Sequence, residues 1–200
     1  MSSRKRCLLW DWTNTDGPGH QGVPWAMDTV KFDGPISSVS NWNTWTPPEL
    51  KGRVPFRPMN HGKRLVSPSC ASDQTGQDWI HAWMELVSTN PPDYLGLHYY
   101  GTDGYAMIAY LNSMNQRYPN TPIIVSQFAS TSRNYMDVLG FTVQVVNWMD
   151  SVDWIFEYAL FGCMRTVADD FVSPVAQLMK PDGSFTDLMW KYMSDQPMHF

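Results

Sequence analysis

A regular alternation of strand-like and helix-like segments constrains the fold more than any other feature of the sequence. The helix-like segments, with apolar residues at helical spacing, are residues 76–88, 103–114 and 135–149, and the strand-like runs are residues 94–100, 123–129 and 154–161. Two more helices are predicted at 173–179 and 186–193. Strands that alternate with helices in this way are parallel and joined by helical crossovers. The sequence therefore predicts an α/β fold, either doubly wound or closed into a (β/α)8 TIM-like barrel.

The N-terminal third adds four strand candidates but one irregular junction. The candidates are residues 6–12, 36–42, 53–59 and 63–69. Together with the three later runs they make seven strands, one fewer than an eight-stranded barrel has. The last two candidates follow each other with only a tight polar turn between them, and a parallel pair cannot be linked so tightly. Either they pair antiparallel, or one is not a strand, or a unit is missing.

Composition favours a neutral, ring-stacking ligand. Fourteen Lys+Arg against 19 Asp+Glu give a net charge of -5, which argues against a nucleic-acid or anionic-membrane partner. Ten tryptophans and 14% aromatic residues accompany only 16% charged residues. This balance is typical of a protein whose rings fill the core and line a groove, and sugars fit such a groove because they stack on aromatic faces.

Several other classes have no support in the sequence. It holds no Gly-rich phosphate loop, no GxSxG elbow and no HExxH, and its three cysteines are widely spaced, so neither a cofactor nor a metal is expected. No apolar segment typical of a signal peptide follows the basic start, so the sequence as written predicts a cytoplasmic protein. Its 200 residues are expected to form one domain over 1–200.

The carboxyl end of the strand predicted at 123–129 is a candidate functional site. Chemistry in parallel α/β sheets and barrels collects at the carboxyl ends of strands, and Gln127 lies there. His98 also ends a strand, where structural and functional roles both remain open. Aromatic residues fall at four predicted strand ends and are candidates for lining the mouth of a barrel: Trp10, Trp42, Tyr100 and Phe161.

Six segments, in order, carry a family resemblance. They are Leu-Trp-Asp-Trp at 9–12, Ser-Asn-Trp-Asn-Thr-Trp-Thr-Pro-Pro-Glu-Leu at 40–50, Lys-Arg-Leu-Val-Ser-Pro-Ser at 63–69, Leu-His-Tyr-Tyr-Gly at 97–101, Ile-Val-Ser-Gln-Phe-Ala at 124–129 and Tyr-Ala-Leu-Phe-Gly at 158–162. This pattern resembles glycoside hydrolase family 128, the fungal and plant β-1,3-glucanase-like catalytic domains. The resemblance implies a (β/α)8 barrel, commonly secreted, that binds β-glucan of the fungal cell wall. By the same resemblance, Asn41, Trp42, His98 and Tyr100 are expected to bind substrate beside Trp10 and Phe161.

The sequence departs from this family at both catalytic positions. The resemblance implies a retaining mechanism with one glutamate after the fourth strand, in an Asn-Glu-Pro motif, and a nucleophilic glutamate ending the seventh. Gln127 stands at the nucleophile position, and none of the three glutamates in the chain lies in an Asn-Glu-Pro motif. The unit that would carry this motif is missing at residues 59–62. Two carboxylates remain as candidate replacements: Asp11, near the end of the first strand, and Glu157, within the last one.

Three hypotheses follow. The chain is a catalytically impaired glycoside hydrolase-like protein, a pseudoenzyme that keeps a β-glucan groove. Alternatively, it is an active β-1,3-glucan hydrolase that uses Asp11 or Glu157. The third possibility is a truncated product that folds poorly, since two barrel strands would be left with unpaired edges.

Overall fold

A parallel β-sheet organises the structure, a computed structural model that describes residues 4–12, 26–41, 50, 52–57, 65–167 and 171–200. Within these residues the strands are β1 Arg6–Trp10, β2 Ile36–Ser40, β3 Leu95–Gly101, β4 Ile123–Ser130 and β5 Ile155–Cys163. Their order across the sheet is β2-β1-β5-β4-β3, and every neighbouring pair is parallel. The last strand thus returns to lie beside the first, as strands do in a barrel.

Four α-helices connect or follow the strands in the described part of the chain: α1 Gln74–Leu86, α2 Gly104–Arg117, α3 Tyr135–Ser151 and α4 Asp187–Ser194. Each begins at a side chain that accepts a hydrogen bond from a backbone N–H of its first turn: Asp73, Asp103, Asn134 and Thr186. Such N-caps satisfy donors that the helix itself cannot. None of the helices within the described ranges is both long and apolar enough to span a bilayer.

In the described residues the two remaining strand candidates contribute only isolated bridges, so five strands are seen there where seven were predicted. Phe56 bridges Val39 of β2, whereas Val66 and Cys70 bridge Tyr94 and Leu97 at β3, all in parallel. The two segments therefore lie at opposite edges of the sheet and are not an antiparallel pair. The fold of the described residues is an α/β, TIM-barrel-like arrangement.

Alternate residues of the strands face two different environments. Leu8 and Trp10 belong to the large core that the sheet forms with the helices, while Cys7 and Leu9 face the opposite, inner side. The inner cluster is small and is completed by Ala159 and Phe161 of β5.

The helix predicted at 173–179 is not formed. Only Pro174–Ala176 make a 3₁₀ turn, because the following backbone bonds elsewhere: the Leu178 N–H donates to the Gly162 carbonyl, and the Leu178 carbonyl accepts from the Thr186 N–H. These bonds return the chain to the end of β5. The helix predicted at 186–193 is confirmed as α4, and the single domain over 1–200 stays a prediction.

Candidate functional site

A β-bulge at Ser126–Gln127 shapes the centre of the candidate site. On β3, Leu97 pairs with Val125 and His98 pairs with Gln127, so Ser126 is an extra residue in β4. On β5, Tyr158 pairs with Val125 and Leu160 with Phe128, so the same two residues of β4 oppose Ala159 alone. Bulges of this kind change the direction of a side chain and are frequent beside functional sites.

Gln127 is held by a hydrogen bond from the neighbouring strand. The Tyr100 hydroxyl donates to Gln127 Oε1 over 2.9 Å, and both side chains are half-buried. The Ser126 hydroxyl lies 2.7 Å from the Ser69 hydroxyl, on the segment that bridges β3. The hydrogen bond from Tyr100 therefore orients the amide of Gln127.

His98 lies directly across from Gln127 in the strand register. Burial lowers the pKa of His98 to about 4, so the imidazole is neutral near pH 7. Its Nε2 is buried and makes no hydrogen bond to the described residues. Near pH 7 His98 therefore brings no charge to this part of the sheet.

Aromatic rings surround Tyr100 at the carboxyl end of the sheet. Phe161 of β5 packs edge-on against Tyr100, with 6.0 Å between ring centroids, and Phe171 does so at 5.2 Å. Phe161 is half-buried, whereas Phe171 is 59% exposed. We call Tyr100, Phe161 and Phe171 the aromatic cluster.

Phe171 is absent from the sequence-based set because it lies beyond the last strand, in a loop that has no periodic pattern. The available signal was an aromatic residue in the loop that follows a strand end. Loops at the carboxyl ends of parallel strands are where α/β barrels build their sites.

Trp10 is not at the mouth, contrary to the prediction. Its side chain is fully buried, belongs to the core shared with the helices, and packs edge-on against Phe185 at 6.3 Å. Trp10 alternates with Leu9, so it points to the helix side of the sheet when Leu9 points inward. A buried ring in this core cannot stack on a sugar, which removes Trp10 from the candidate glucan-binding residues.

The other predicted residues are more dispersed. Asn41 follows β2 and is buried, two strands away from β5, and Asp11 follows β1 and is half-buried. Trp42 lies outside the described residues. The structure thus brings together Gln127, His98, Tyr100 and Phe161, and these positions remain predictions as substrate-binding or catalytic sites.

Glu157 lies deeper than the aromatic cluster and is paired with an arginine. It is buried, forms an ion pair with Arg57 (Oε1 to Nη1, 2.9 Å) and accepts a hydrogen bond from the Ser38 hydroxyl. Burial raises the pKa of Glu157, and the charge of Arg57 opposes that rise. Gln127 is opposite Ala159, so Glu157 is two residues, or about 7 Å along the strand, nearer the amino end. This placement is that of a structural carboxylate inside the barrel.

In the part of the chain that the structure describes, no three His, Cys, Asp or Glu side chains are grouped so that they could hold a metal ion. The described groups at the site are an oriented amide, a neutral imidazole, hydroxyl groups and aromatic rings. These groups suit recognition of a neutral polyhydroxylated ligand.

The fold and this site define a glycoside hydrolase-like α/β protein. A family model for the glycosyl hydrolase catalytic core matches residues 24–192, most of the chain. Comparison with solved structures narrows the assignment, and the chain belongs to glycoside hydrolase family 128. The sequence-based resemblance is therefore confirmed.

Three solved structures illustrate the relationship. A subgroup VI exo-β-1,3-glucanase from Aureobasidium namibiae is 54% identical, with a TM-score of 0.92 and all of both chains covered. A subgroup V exo-β-1,3-glucanase from Cryptococcus neoformans is 19% identical, with a TM-score of 0.76 and 94% of this chain and 98% of the other covered. A subgroup VII oligosaccharide-binding protein from the same organism is 15% identical, with a TM-score of 0.55, 94% of this chain and 77% of the other covered. A search of curated protein sequences gave no match.

Proposed function

We propose that the protein binds β-1,3-glucan chains at the carboxyl end of the sheet without hydrolysing them. The observation that carries the proposal is the amide of Gln127, held by Tyr100 beside the aromatic cluster. Two of the three structures described above are exo-β-1,3-glucanases, which supports β-1,3-glucan as the ligand. The third is an oligosaccharide-binding protein, so binding has a precedent among the similar structures.

The chemical argument against turnover is the lack of a suitable pair of carboxylates. A retaining glycosidase needs an acid/base carboxyl and a nucleophilic carboxylate about 5–5.5 Å apart. An amide cannot be a carboxylate nucleophile, and losing such a nucleophile costs on the order of 10⁴–10⁶ in rate. Glu157 is committed to Arg57 and Ser38 and lies below the level of Gln127.

Titration with laminari-oligosaccharides tests the binding. Saturable heat release by calorimetry, accompanied by a change in tryptophan fluorescence, is expected for laminaritriose, while cello-oligosaccharides serve as the linkage control. A flat titration from a protein that unfolds cooperatively would overturn the proposal. A broad, non-cooperative thermal transition would instead support the truncated, poorly folding product.

An assay of reducing-sugar release from laminarin separates binding from hydrolysis. No turnover is expected. Release that is abolished by Glu157→Gln or Asp11→Asn would instead establish the alternative, an active hydrolase that uses one of these carboxylates. The half-buried Asp11 after β1 is the observation that keeps this alternative worth testing.

Restoring a carboxylate at position 127 tests the assignment of the nucleophile position. In Gln127→Glu, we expect the new carboxylate oxygen to attack the anomeric carbon of 2,4-dinitrophenyl β-laminaribioside, with dinitrophenolate leaving as the carbon–oxygen bond breaks. This leaving group needs no general acid, so the glycosyl ester should form and be seen as an added laminaribiosyl mass on the intact protein. Gln127→Ala is the matched control. A variant that binds laminaribiose yet forms no adduct would show that residue 127 does not face the anomeric carbon.

A further inference from the structure

Phe171 is the most exposed member of the aromatic cluster, although its ring packs against Tyr100 of β3. It is 59% exposed, while its ring lies 5.2 Å from that of Tyr100 with an interplanar angle of 66°. Phe161 meets the same Tyr100 ring at 77°. The two phenylalanines are therefore both steeply inclined to Tyr100, in the edge-to-face geometry that aromatic pairs favour.

Tyr100 connects Phe171 to the centre of the site. Its hydroxyl donates to Gln127 Oε1, and its ring contacts Phe171, so one fixed side chain touches both. The hydrogen bond limits the rotation of Tyr100 and thereby gives Phe171 a firm surface to pack against. An exposed ring so supported loses little conformational freedom when a ligand covers it.

We propose that Phe171 stacks on a glucosyl unit of the bound chain, next to the unit that lies over Gln127. This inference rests on the proposed function, since it assigns a residue to the same glucan site. An exposed aromatic face continuous with a half-buried cluster matches the apolar C–H face of a pyranose, and no charge is needed. The assignment to an adjoining sugar unit rests on Tyr100, whose hydroxyl contacts Gln127 while its ring contacts Phe171.

The test compares ligand lengths in Phe171→Ala. Affinity for laminaritriose and laminaritetraose should fall about 3- to 10-fold, the range that one aromatic contact accounts for. Affinity for glucose should change much less, because a single sugar unit can be bound without reaching Phe171. Phe171→Trp should retain or increase the affinity for the longer ligands.

Phe200→Ala is the matched control, since Phe200 is 72% exposed and lies near Gly140 of α3, away from the aromatic cluster. Equal affinity of wild type, Phe171→Ala and Phe200→Ala for laminaritriose would overturn this inference while leaving the proposed function intact. An equal loss for every ligand length, glucose included, would also overturn it, because that result indicates general damage to the site. Failure of wild type to bind any of the ligands would count against the proposed function itself.

Discussion

Two arginine–carboxylate pairs with the same separation differ in which partner is buried. Arg6 on β1 meets Asp150 of α3 over 2.9 Å, with side-chain exposures of 0% and 11%. Arg57 meets Glu157 of β5 over the same distance, with exposures of 42% and 6%. The first pair lies on the helix side of the sheet, and the second lies on the inner side.

The surroundings of the two pairs explain their different roles. The Arg6 guanidinium also donates to the carbonyl oxygens of Tyr192 and Asp195, which ties α4 to β1. Its buried charge is thus matched by several acceptors. The second pair has its cation half in water and its anion in the interior, supported by Ser38. A buried carboxylate can become neutral by taking up a proton, whereas a guanidinium stays charged at any pH that the protein survives.

The largest effect is expected from Asp150→Ala. This change leaves the fully buried Arg6 without its counter-ion, which typically costs about 3–5 kcal/mol of folding free energy. The loss should be seen by chemical denaturation and should hardly vary between pH 5 and 8, since Arg6 cannot discharge itself. Asp153→Ala, at an exposed position nearby, is the control and should change stability by less than about 1 kcal/mol. A loss as small as that of the control would show that the carbonyl acceptors alone satisfy Arg6.

A smaller, pH-dependent effect is expected from Arg57→Met. Without Arg57, the pKa of Glu157 should rise further, because the attraction that opposes the effect of burial is gone. A folded-state pKa above the unfolded value favours the folded protein below about pH 4.5, and that contribution is lost as pH rises through the folded-state value. The variant should therefore lose about 1–3 kcal/mol at pH 8 and recover most of it near pH 4.5.

Arg53→Met provides the matched control for this pH dependence. Arg53 pairs with Asp28, and both side chains are about half exposed, at 44% and 53%. Exposed pairs contribute about 0–1 kcal/mol, so this variant should show a small and pH-independent change. Parallel pH profiles for Arg57→Met and Arg53→Met would contradict the account of Glu157 as a buried anion.

The regular part of the fold could be predicted from the sequence, and the site only in outline. The strand β4 and the helices α2 to α4 follow from local periodicity and caps, which are properties of adjacent residues. Successive side chains of a strand point to opposite faces of the sheet, so the face that Trp10 occupies depends on which residues of β1 point inward. A strand that is apolar on both faces does not show this in its sequence. The bulge at Ser126–Gln127 inserts a residue relative to two neighbouring strands, so no single-strand pattern reveals it.

For Glu157, part of the environment could be predicted from the sequence and part could not. Its burial within β5 and its need for a partner could be expected from the sequence, because buried charges persist only when paired. The identity of the partner could not, since Arg57 lies 100 residues earlier in a segment with a single bridge to the sheet. Pairings of this kind are set by the packing of the whole barrel.

The smallest effect is expected from Glu157→Gln, which removes the buried charge but keeps the side-chain shape. The desolvation cost disappears together with the attraction to Arg57, and the half-exposed guanidinium can turn into water, so stability at pH 8 should change by no more than about 1 kcal/mol. In the Glu157→Gln background, Arg57→Met should no longer lower the stability at pH 8, and the dependence of its stability on pH between 4.5 and 8 should disappear. A double-mutant cycle measures this coupling directly. If Arg57→Met remained as costly in the Glu157→Gln background as in wild type, then Arg57 would stabilise the fold through its contact with the Phe156 ring, 5.2 Å away, and not through its charge on Glu157.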